Sequence, residues 1–226
     1  MKIGLICPYN ITKGGGVQEI VRDLQRGLNK RGHETLIITP RPQGSDITPP
    51  EGVIYIGNGG DFRSPLHTTS QLSATIDVDE IDEILERERF DVLHFHEPWV
   101  PVLSRQILSR SRAVNIATFH AKLPETVMSR TMAKAVTPYT KSALKYLHRL
   151  TAVSGAAAEW VSTLTDDPIT IIPNGIDLKR FKPAKQAKTP SDRKTLLYIS
   201  RIEKRKGLKY LLEAYNELAK EHEDVQ

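Results

Sequence analysis

The sequence has little of two things: cysteine and long apolar runs. Its 226 residues include one cysteine, Cys7, which cannot form an internal disulfide and suits a reducing compartment. No apolar run approaches the roughly 20 residues of a membrane-spanning helix, and the chain opens on a strand pattern rather than a signal peptide. We therefore expect a soluble, cytoplasmic protein in which Cys7 is a small buried apolar residue.

Excess positive charge is absent from most of the chain. Residues 1–175 carry 19 Lys and Arg against 19 Asp and Glu, whereas residues 176–226 carry 13 against 8, which accounts for the net charge of +5. A distributed basic stripe with interleaved aromatic residues would indicate nucleic acid. The basic cluster within residues 201–206 fits a small anionic ligand equally well.

A strand, a glycine loop and a helix open the chain. Residues 3–7 are apolar, Gly14, Gly15 and Gly16 follow, and residues 17–30 have apolar side chains at three- and four-residue spacing. Glycine lets the backbone approach a ligand closely, and the first turn of a helix presents unpaired N–H groups with partial positive charge. The junction therefore favours a phosphate site, with a plain tight turn as the alternative.

Strand and helix patterns alternate as far as residue 172. Strands are predicted at residues 34–39, 53–56, 92–96, 114–119, 150–153 and 169–172, and helices at residues 77–89, 100–111, 128–147 and 156–164. We expect Pro138 to break or start its helix, Ser154 to cap the next one, and residues 57–69 to form a loop. The alternation predicts an α/β fold, a Rossmann-like parallel sheet with helices on both faces.

A domain boundary follows the last of these strands. Residues 178–193 are rich in Lys, Pro, Ala and Gln without a period, which predicts a linker. A strand at residues 195–200 and a helix at residues 207–221 then repeat the opening pattern. We predict an N-terminal domain over residues 1–177 and the first β-α unit of a second Rossmann-like domain over residues 194–226. One such unit lacks the neighbours that a parallel sheet requires, so we expect a piece of a longer enzyme.

Six motifs carry a resemblance to a known family. They are C-P-Y at residues 7–9, G-G-V-Q at 15–18, D-V-L-H-F-H-E-P at 91–98, A-T-F-H at 117–120, I-P-N-G-I-D at 172–177, and S-R at 200–201 with K-G at 206–207. Together they resemble the retaining glycosyltransferases of family 4, and among these the bacterial phosphatidylinositol mannosyltransferases. The resemblance covers essentially the whole chain. It implies a GT-B fold, in which two Rossmann-like domains face a cleft and this chain supplies the acceptor-side domain and the start of the donor domain.

The resemblance also implies a nucleotide-sugar donor and no nucleic-acid partner. Arg201 and Lys206 match the family's pyrophosphate-binding pair, and Gly15 and Gly16 match its glycine loop. The chemistry fits, because without a metal the growing charge on a leaving diphosphate must be met by cations and oriented N–H groups. No cofactor is expected and no metal requirement is predicted. The alternative for Arg201 and Lys206 is a solvated basic loop.

His120 matches a histidine that lies beside the donor sugar at the family's reaction centre. Its place at the carboxyl edge of the predicted sheet favours this catalytic role over a structural one. We do not expect a general base, because retaining transfer in this family is described as front-face, with the leaving phosphate taking the acceptor proton. Tyr9 and Gln18 match residues that line the acceptor pocket, with loop packing and a helix-surface amide as the alternatives.

His94, His96 and Glu97 also suggest a metal site, because the two histidines project to one face of a strand. Phe95 and Pro98 favour a packed strand edge, and the sequence shows no remote ligand cluster. We therefore predict no metal site here.

The helix at residues 77–89 departs from the mannosyltransferases, in which it is rich in Lys and Arg and helps to bind anionic lipid. Here seven acidic residues outnumber Arg87 and Arg89, and anionic lipid would repel them. Peripheral membrane contact would need another surface, such as that of Lys141 and Lys145, for which a solvated face is the alternative.

The resemblance therefore implies a glycosyltransferase that moves a hexose, mannose from GDP-mannose, to a lipid-linked or inositol-type acceptor such as phosphatidylinositol at the inner face of the cell membrane. A family 4 enzyme that uses a UDP-sugar on another acceptor is one alternative. An NAD(P)-dependent oxidoreductase is a second, although Glu19 stands where a third glycine is needed and residues 34–39 do not end in an acid. A non-catalytic binding fragment is a third, since we expect this chain alone to be inactive.

Overall fold

The computed structural model describes two compact units. It covers the chain except residues 43–46, 64–68, 76, 101–102, 123–126, 183–192, 201 and 204–205. The larger unit comprises Met1–Phe62 and Thr69–Gly175, and the smaller is formed mainly by Ile176–Gln226. Within the described residues, no helix combines the length and the apolar character that crossing a membrane requires.

The larger unit is built on one sheet of eight strands. They are β1 (Lys2–Ile6), β2 (Glu34–Arg41), β3 (Val53–Arg63), β4 (Thr69–Thr75), β5 (Val92–His96), β6 (Val114–Phe119), β7 (Arg149–Ala152) and β8 (Ile169–Ile171). Their order across the sheet is β4-β3-β2-β1-β5-β6-β7-β8. Parallel pairing joins β1 to β2 and to β5, β2 to β3, β5 to β6, β6 to β7 and β7 to β8. The predicted parallel sheet is confirmed, and the carboxyl ends of these strands meet at one edge.

Helices cover both faces of this sheet. They are α1 (Gly16–Lys30), α2 (Val78–Glu88), α3 (Leu103–Leu108), α4 (Val127–Leu144) and α5 (Gly155–Ala158), with a single 3₁₀ turn at Val161–Thr163. Alternate residues of β1 point to opposite faces, so Ile6 packs in the core under α2 to α5 and Leu5 in the core under α1. Cys7 lies in the second core, where burial raises the pKa of its thiol to about 12. A thiolate at neutral pH is therefore disfavoured, in line with a packing role.

The first turns of α2 and α5 are each capped by the side chain of the residue before the helix. Asp77 precedes α2 and its carboxylate accepts the N–H of Asp79 at 3.0 Å, while Arg89 ends the helix with φ of 47°. Ser154 precedes α5 and its hydroxyl oxygen accepts the N–H of Ala157 at 3.1 Å. Each cap satisfies an N–H group that has no partner inside the helix. The predicted capping role of Ser154 is confirmed.

The predicted loop at residues 57–69 is wrong over part of its length. Strand β3 continues to Arg63, and β4 begins at Thr69. The glycines in this segment do not end the strand. Gly57 adopts φ of 57°, and after a register shift the pairing of β2 with β3 resumes between Arg41 and Asn58. Tertiary pairing has overridden the local glycine signal.

Pro138 neither breaks nor starts its helix, contrary to the prediction, because it lies inside α4. An internal proline removes one backbone hydrogen bond, but the last turn of α4 is anchored by packing. Ala143 and Leu144 are buried in the same core as α3. The hydroxyl of Tyr139 donates to the carbonyl oxygen of Val100 at 3.4 Å, which attaches the helix to the preceding loop.

The smaller unit contains α6 (Leu208–Glu221), as predicted, but its predicted strand at residues 195–200 is wrong. A parallel bridge joins Lys194 to Val225, and the N–H of Leu196 donates to the carbonyl oxygen of Gln226 at 2.8 Å. Strand geometry ends there, because a strand needs backbone partners along its length. The apolar side chain of Ile199 is 84% exposed.

Candidate functional site

The candidate site lies along the carboxyl edge of the sheet. β1, β5, β6 and β7 are consecutive neighbours there and all run parallel. The residues that follow them include Tyr9 after β1, Glu97 after β5 and His120 after β6. Open parallel sheets bind their ligands at this edge, where loops from several strands converge.

The glycine loop leads directly into α1. Gly15 is the residue before the helix and has extended backbone geometry. A Cβ on Gly15 would lie 2.3 Å from the side-chain oxygen of Gln18, whereas a Cβ on Gly14 or Gly16 would meet no heavy atom within 4 Å. The space beside Gly14 and Gly16 is therefore open. No side chain caps the N-terminus of α1, so its first N–H groups are available to an anion.

The loop between β1 and α1 is fixed by side chains from its two sides. The hydroxyl of Thr39, in β2, donates to the carbonyl oxygen of Tyr9 at 2.7 Å and accepts the N–H of Ile11 at 3.2 Å. Arg22, in α1, donates to the carbonyl oxygen of Ile11 at 2.6 Å. Gln18 donates at 3.5 Å to the carbonyl oxygen of Asn10. The predicted acceptor residues Tyr9 and Gln18 thus lie on either side of a loop whose backbone is fixed by these hydrogen bonds.

Three imidazoles line the ends of β5 and β6. Nδ1 of His96 lies 2.8 Å from Nε2 of His120, and the ring of His96 stacks on that of His94 with centroids 4.5 Å apart. Burial lowers the pKa of His94 to about 4 and that of His120 to about 4, and holds the pKa of His96 well below its usual value. All three rings are therefore neutral at pH 7.

The hydroxyl groups beside His94 determine its tautomer. Thr151 donates to the carbonyl oxygen of Ala117 at 2.9 Å, so it can only accept from Thr118, whose oxygen lies 2.6 Å away. Thr118 has then used its proton and must accept from Nε2 of His94 at 2.7 Å. His94 therefore carries its proton on Nε2 and is held as a neutral donor.

Glu97 is a buried carboxylate that connects the two strand ends. One oxygen accepts the backbone N–H of His120 at 2.8 Å, and the other accepts the indole N–H of Trp99. Burial raises the pKa of Glu97 to about 7. The same carboxylate, together with burial as the main cause, raises the pKa of Tyr9. Tyr9, Glu97 and His120 are thereby brought together from three strands.

Sequence reasoning missed the role of Glu97 and Trp99. The pattern H-F-H-E favours a packed strand edge over a metal site, and neither interpretation predicts that the carboxylate oxygens of Glu97 accept N–H groups. In the part of the chain that the structure describes, no group of three His, Cys, Asp or Glu side chains is placed to hold a metal ion. The pairing of β5 with β6 explains how the imidazoles meet. His96 pairs with Thr118, and His120 follows Thr118 two residues later on the same face.

The remaining predicted residues lie on the smaller unit. Lys206 is exposed, its N–H donates to the carbonyl oxygen of Glu203 at 2.9 Å, and its carbonyl oxygen accepts the hydroxyl of Tyr198 at 3.0 Å. Gly207 follows with φ of 74° and immediately precedes α6. Arg201 lies outside the described residues. The diphosphate role of this pair stays a prediction.

Comparison with known proteins shows the family of this chain. Residues 14–180 match Glycosyltransferase Family 4. The chain is 31% identical over 238 residues to a phosphatidyl-myo-inositol mannosyltransferase from Mycobacterium leprae, an alignment that covers 100% of this chain and 59% of that protein. It is 23% identical over 247 residues to an alpha-monoglucosyldiacylglycerol synthase from Acholeplasma laidlawii, covering 98% of this chain and 61% of that protein. The chain thus spans about three fifths of these relatives.

A solved structure supports the fold independently of sequence. The sucrose-phosphate synthase from Thermosynechococcus elongatus matches with a TM-score of 0.70 at 18% identity, over 95% of this chain and 59% of that one. At this identity the likeness concerns the fold, and it confirms the predicted fold class.

Proposed function

The chain belongs to glycosyltransferase family 4, and on that basis we propose that it forms the acceptor-side part of a retaining hexosyltransferase. The observation that carries this proposal is the shared sheet edge, where the uncapped N-terminus of α1 and the neutral imidazole of His120 stand at the ends of parallel strands. The first suits a phosphate and the second suits a sugar hydroxyl.

The donor is proposed to be GDP-mannose. The name of the Mycobacterium leprae relative supports a mannosyl group. Gly15 and Gly16 would approach the donor's diphosphate through backbone N–H groups, since open space lies beside Gly16. Arg201 and Lys206 would supply cations to the same diphosphate as its charge grows during bond cleavage.

His120 is proposed to bind the transferred sugar rather than to move a proton as a general base. Its pKa of about 4 leaves the ring uncharged and a weak base at neutral pH. Its Nε2 is occupied by His96, so Nδ1 is the ring atom that can reach a ligand. A neutral ring of fixed orientation positions a sugar hydroxyl without adding charge to the site.

The acceptor is proposed to be an inositol-type or other lipid-linked alcohol, contacted by Tyr9 and Gln18. Both named relatives carry a lipid in their names, phosphatidyl in one and diacylglycerol in the other. Such an acceptor would place the enzyme as a peripheral protein on the cytoplasmic face of the membrane. The exposed acids of α2, including Asp79, Asp82 and Glu83, disfavour contact through that helix.

A calorimetric donor screen on the full-length protein tests the proposal. GDP-mannose is expected to bind more tightly than UDP-glucose, GDP alone is expected to retain most of that affinity, and NAD is expected not to bind. Tighter binding of UDP-glucose would shift the proposal to a UDP-sugar enzyme of the same family. Binding of NAD with no nucleotide-sugar binding would overturn it.

A further inference from the structure

Glu97 occupies an unusual backbone position at the end of β5. Its φ is 50°, in the left-handed region that residues other than glycine seldom adopt. Its N–H donates to the carbonyl oxygen of Thr118 at 2.9 Å, and its carbonyl oxygen accepts the N–H of Val100 at 3.0 Å. Such a conformation persists where the surroundings determine it, and here both backbone groups are bound.

The side chain of Glu97 is also held by hydrogen bonds. It is 1% exposed, and its two oxygens accept the N–H of His120 and the indole N–H of Trp99. The ring of Trp99 meets the ring of Trp160 edge to face, with centroids 6.4 Å apart and an interplanar angle of 84°. Through these contacts one carboxylate joins the end of β5, the end of β6 and the segment after α5.

We infer that Glu97 is a positioning residue for His120, because its carboxylate fixes the turn that carries the imidazole and holds that turn less firmly once it is protonated. Its partners are the backbone N–H groups of His120 and Ala121 and the indole N–H of Trp99, all of which can only donate. Protonation removes the negative charge and one lone pair from the carboxylate, so the hydrogen bonds that it accepts from these N–H groups weaken. The consequence for sugar transfer rests on the proposed role of His120, whereas the carboxylate contacts do not.

The surroundings of Glu97 allow this change near neutral pH. The titratable groups around it are Tyr9 from the loop after β1, His96 at the end of β5 and His120 after β6. Tyr9 is uncharged because its pKa is raised, and both histidines are uncharged because their pKa values are lowered. These neighbours supply no cation to the carboxylate, and burial brings the pKa of Glu97 to about 7.

Tryptophan fluorescence gives a direct readout that needs no substrate. The chain has two tryptophans, so Trp160→Phe leaves Trp99 as the reporter and keeps an aromatic ring against it. We expect the emission of Trp99 to change with a midpoint near the Glu97 pKa of about 7 as pH is lowered from 9 to 5. No transition in this range would overturn the inference even if other variants fail to fold.

Two further variants assign the transition. Adding Glu97→Gln should abolish it, while adding Glu159→Gln should leave it unchanged, because Glu159 is an exposed carboxylate paired with Lys122 at 3.0 Å. A transition that survives Glu97→Gln would contradict the assignment to Glu97.

In a transfer assay on the full-length protein, Glu97→Gln should lower kcat at least tenfold at pH 8 with little change in the donor KM. It should also flatten the pH profile of kcat between pH 6 and 8. A variant with the kcat of the unmodified protein would contradict the positioning role. Absence of transfer by the unmodified protein would instead overturn the proposed function, while the fluorescence transition would still decide whether the carboxylate fixes this turn.

Discussion

His96 and His120 share one hydrogen bond, between Nδ1 of the first and Nε2 of the second at 2.8 Å. Both rings are neutral, so one nitrogen donates and the other accepts. Among the described residues, Nε2 of His96 is buried without a hydrogen-bond partner. An unpaired acceptor costs less than an unpaired N–H, so the proton of His96 belongs on Nδ1. His120 therefore accepts at Nε2 and carries its own proton on Nδ1.

The tautomer of His120 makes a prediction for His96→Leu. This change removes the donor to Nε2 of His120 together with a buried nitrogen that has no partner. We expect a thermal midpoint close to that of the unmodified protein and a kcat at least tenfold lower, measured by calorimetry and by a transfer assay. His94→Leu is the matched control. It should lower stability by about 1–3 kcal/mol, because Thr118 loses its donor, and should affect kcat less. Equal kcat values for both variants would contradict the tautomer assignment.

The buried titratable groups predict how stability depends on pH. The folded pKa values of His94 and His120 are below the unfolded value, so their protonation favours the unfolded state and stability is lost as pH falls from 6.5 towards 4. From pH 7 to 5 the loss is about 2 kcal/mol for each histidine. Glu97 has the opposite sign, because its folded pKa of about 7 exceeds the unfolded value and its protonation favours the folded state over the same range.

Urea unfolding at pH 7 and pH 5 separates these contributions. The Glu97→Gln variant should lose stability more steeply than the unmodified protein as pH is lowered, because the opposing carboxyl group is gone. His222→Gln is a suitable control, since His222 is exposed. A shallower loss in Glu97→Gln would show that the sign assigned to Glu97 is wrong.

Two glycines of α1 make a matched pair for the proposed diphosphate contact. A Cβ on Gly16 or on Gly27 would meet no heavy atom within 4 Å, so alanine fits at both positions. Each substitution should raise stability by up to about 1 kcal/mol, because alanine favours the helix. Only Gly16→Ala should weaken GDP-mannose binding, about tenfold or more by calorimetry, because it fills the space beside the uncapped helix start. Equal donor affinity in the two variants would count against this loop as a diphosphate site.

The basic pair of the smaller unit is tested in the same way. Lys206→Ala and Arg201→Ala in the full-length protein should each weaken GDP-mannose binding about tenfold or more, since each removes a cation from the diphosphate. Lys209→Ala is the control, because Lys209 is exposed and paired with Glu213 at 3.6 Å. If both test variants bind the donor as tightly as the control, the pair has no part in donor binding.

The sequence predicts those features of the fold that depend on interactions between residues close together in the chain. The strands at residues 92–96 and 114–119 have the bounds that the sequence predicts, because the Val and Phe residues in each favour a strand. Ser154 was predicted as a cap because capping depends on one hydroxyl and one N–H in the next turn. The glycine loop is predicted because Gly14, Gly15 and Gly16 stand directly before the apolar periodicity of α1.

Other features depend on distant contacts and could not be predicted in this way. The continuation of β3 past Gly57 depends on pairing with β2, and the survival of α4 through Pro138 depends on packing of its last turn. The grouping of Glu97 with His120 joins residues 23 positions apart, and neither propensity nor spacing within one segment reports such a contact. The exposure of Ile199 is likewise not visible in its local sequence, because the apolar run at residues 195–200 predicts a strand that the described residues do not form.

The most direct test of the account is a transfer reaction with the full-length protein, GDP-mannose and phosphatidylinositol vesicles, with the product characterised by mass spectrometry and by NMR of the new glycosidic bond. We predict one mannosyl group on the inositol ring, the same anomeric configuration as in the donor, and a large loss of kcat in His120→Ala. Inversion at the anomeric carbon, or no transfer from any nucleotide sugar, would contradict it.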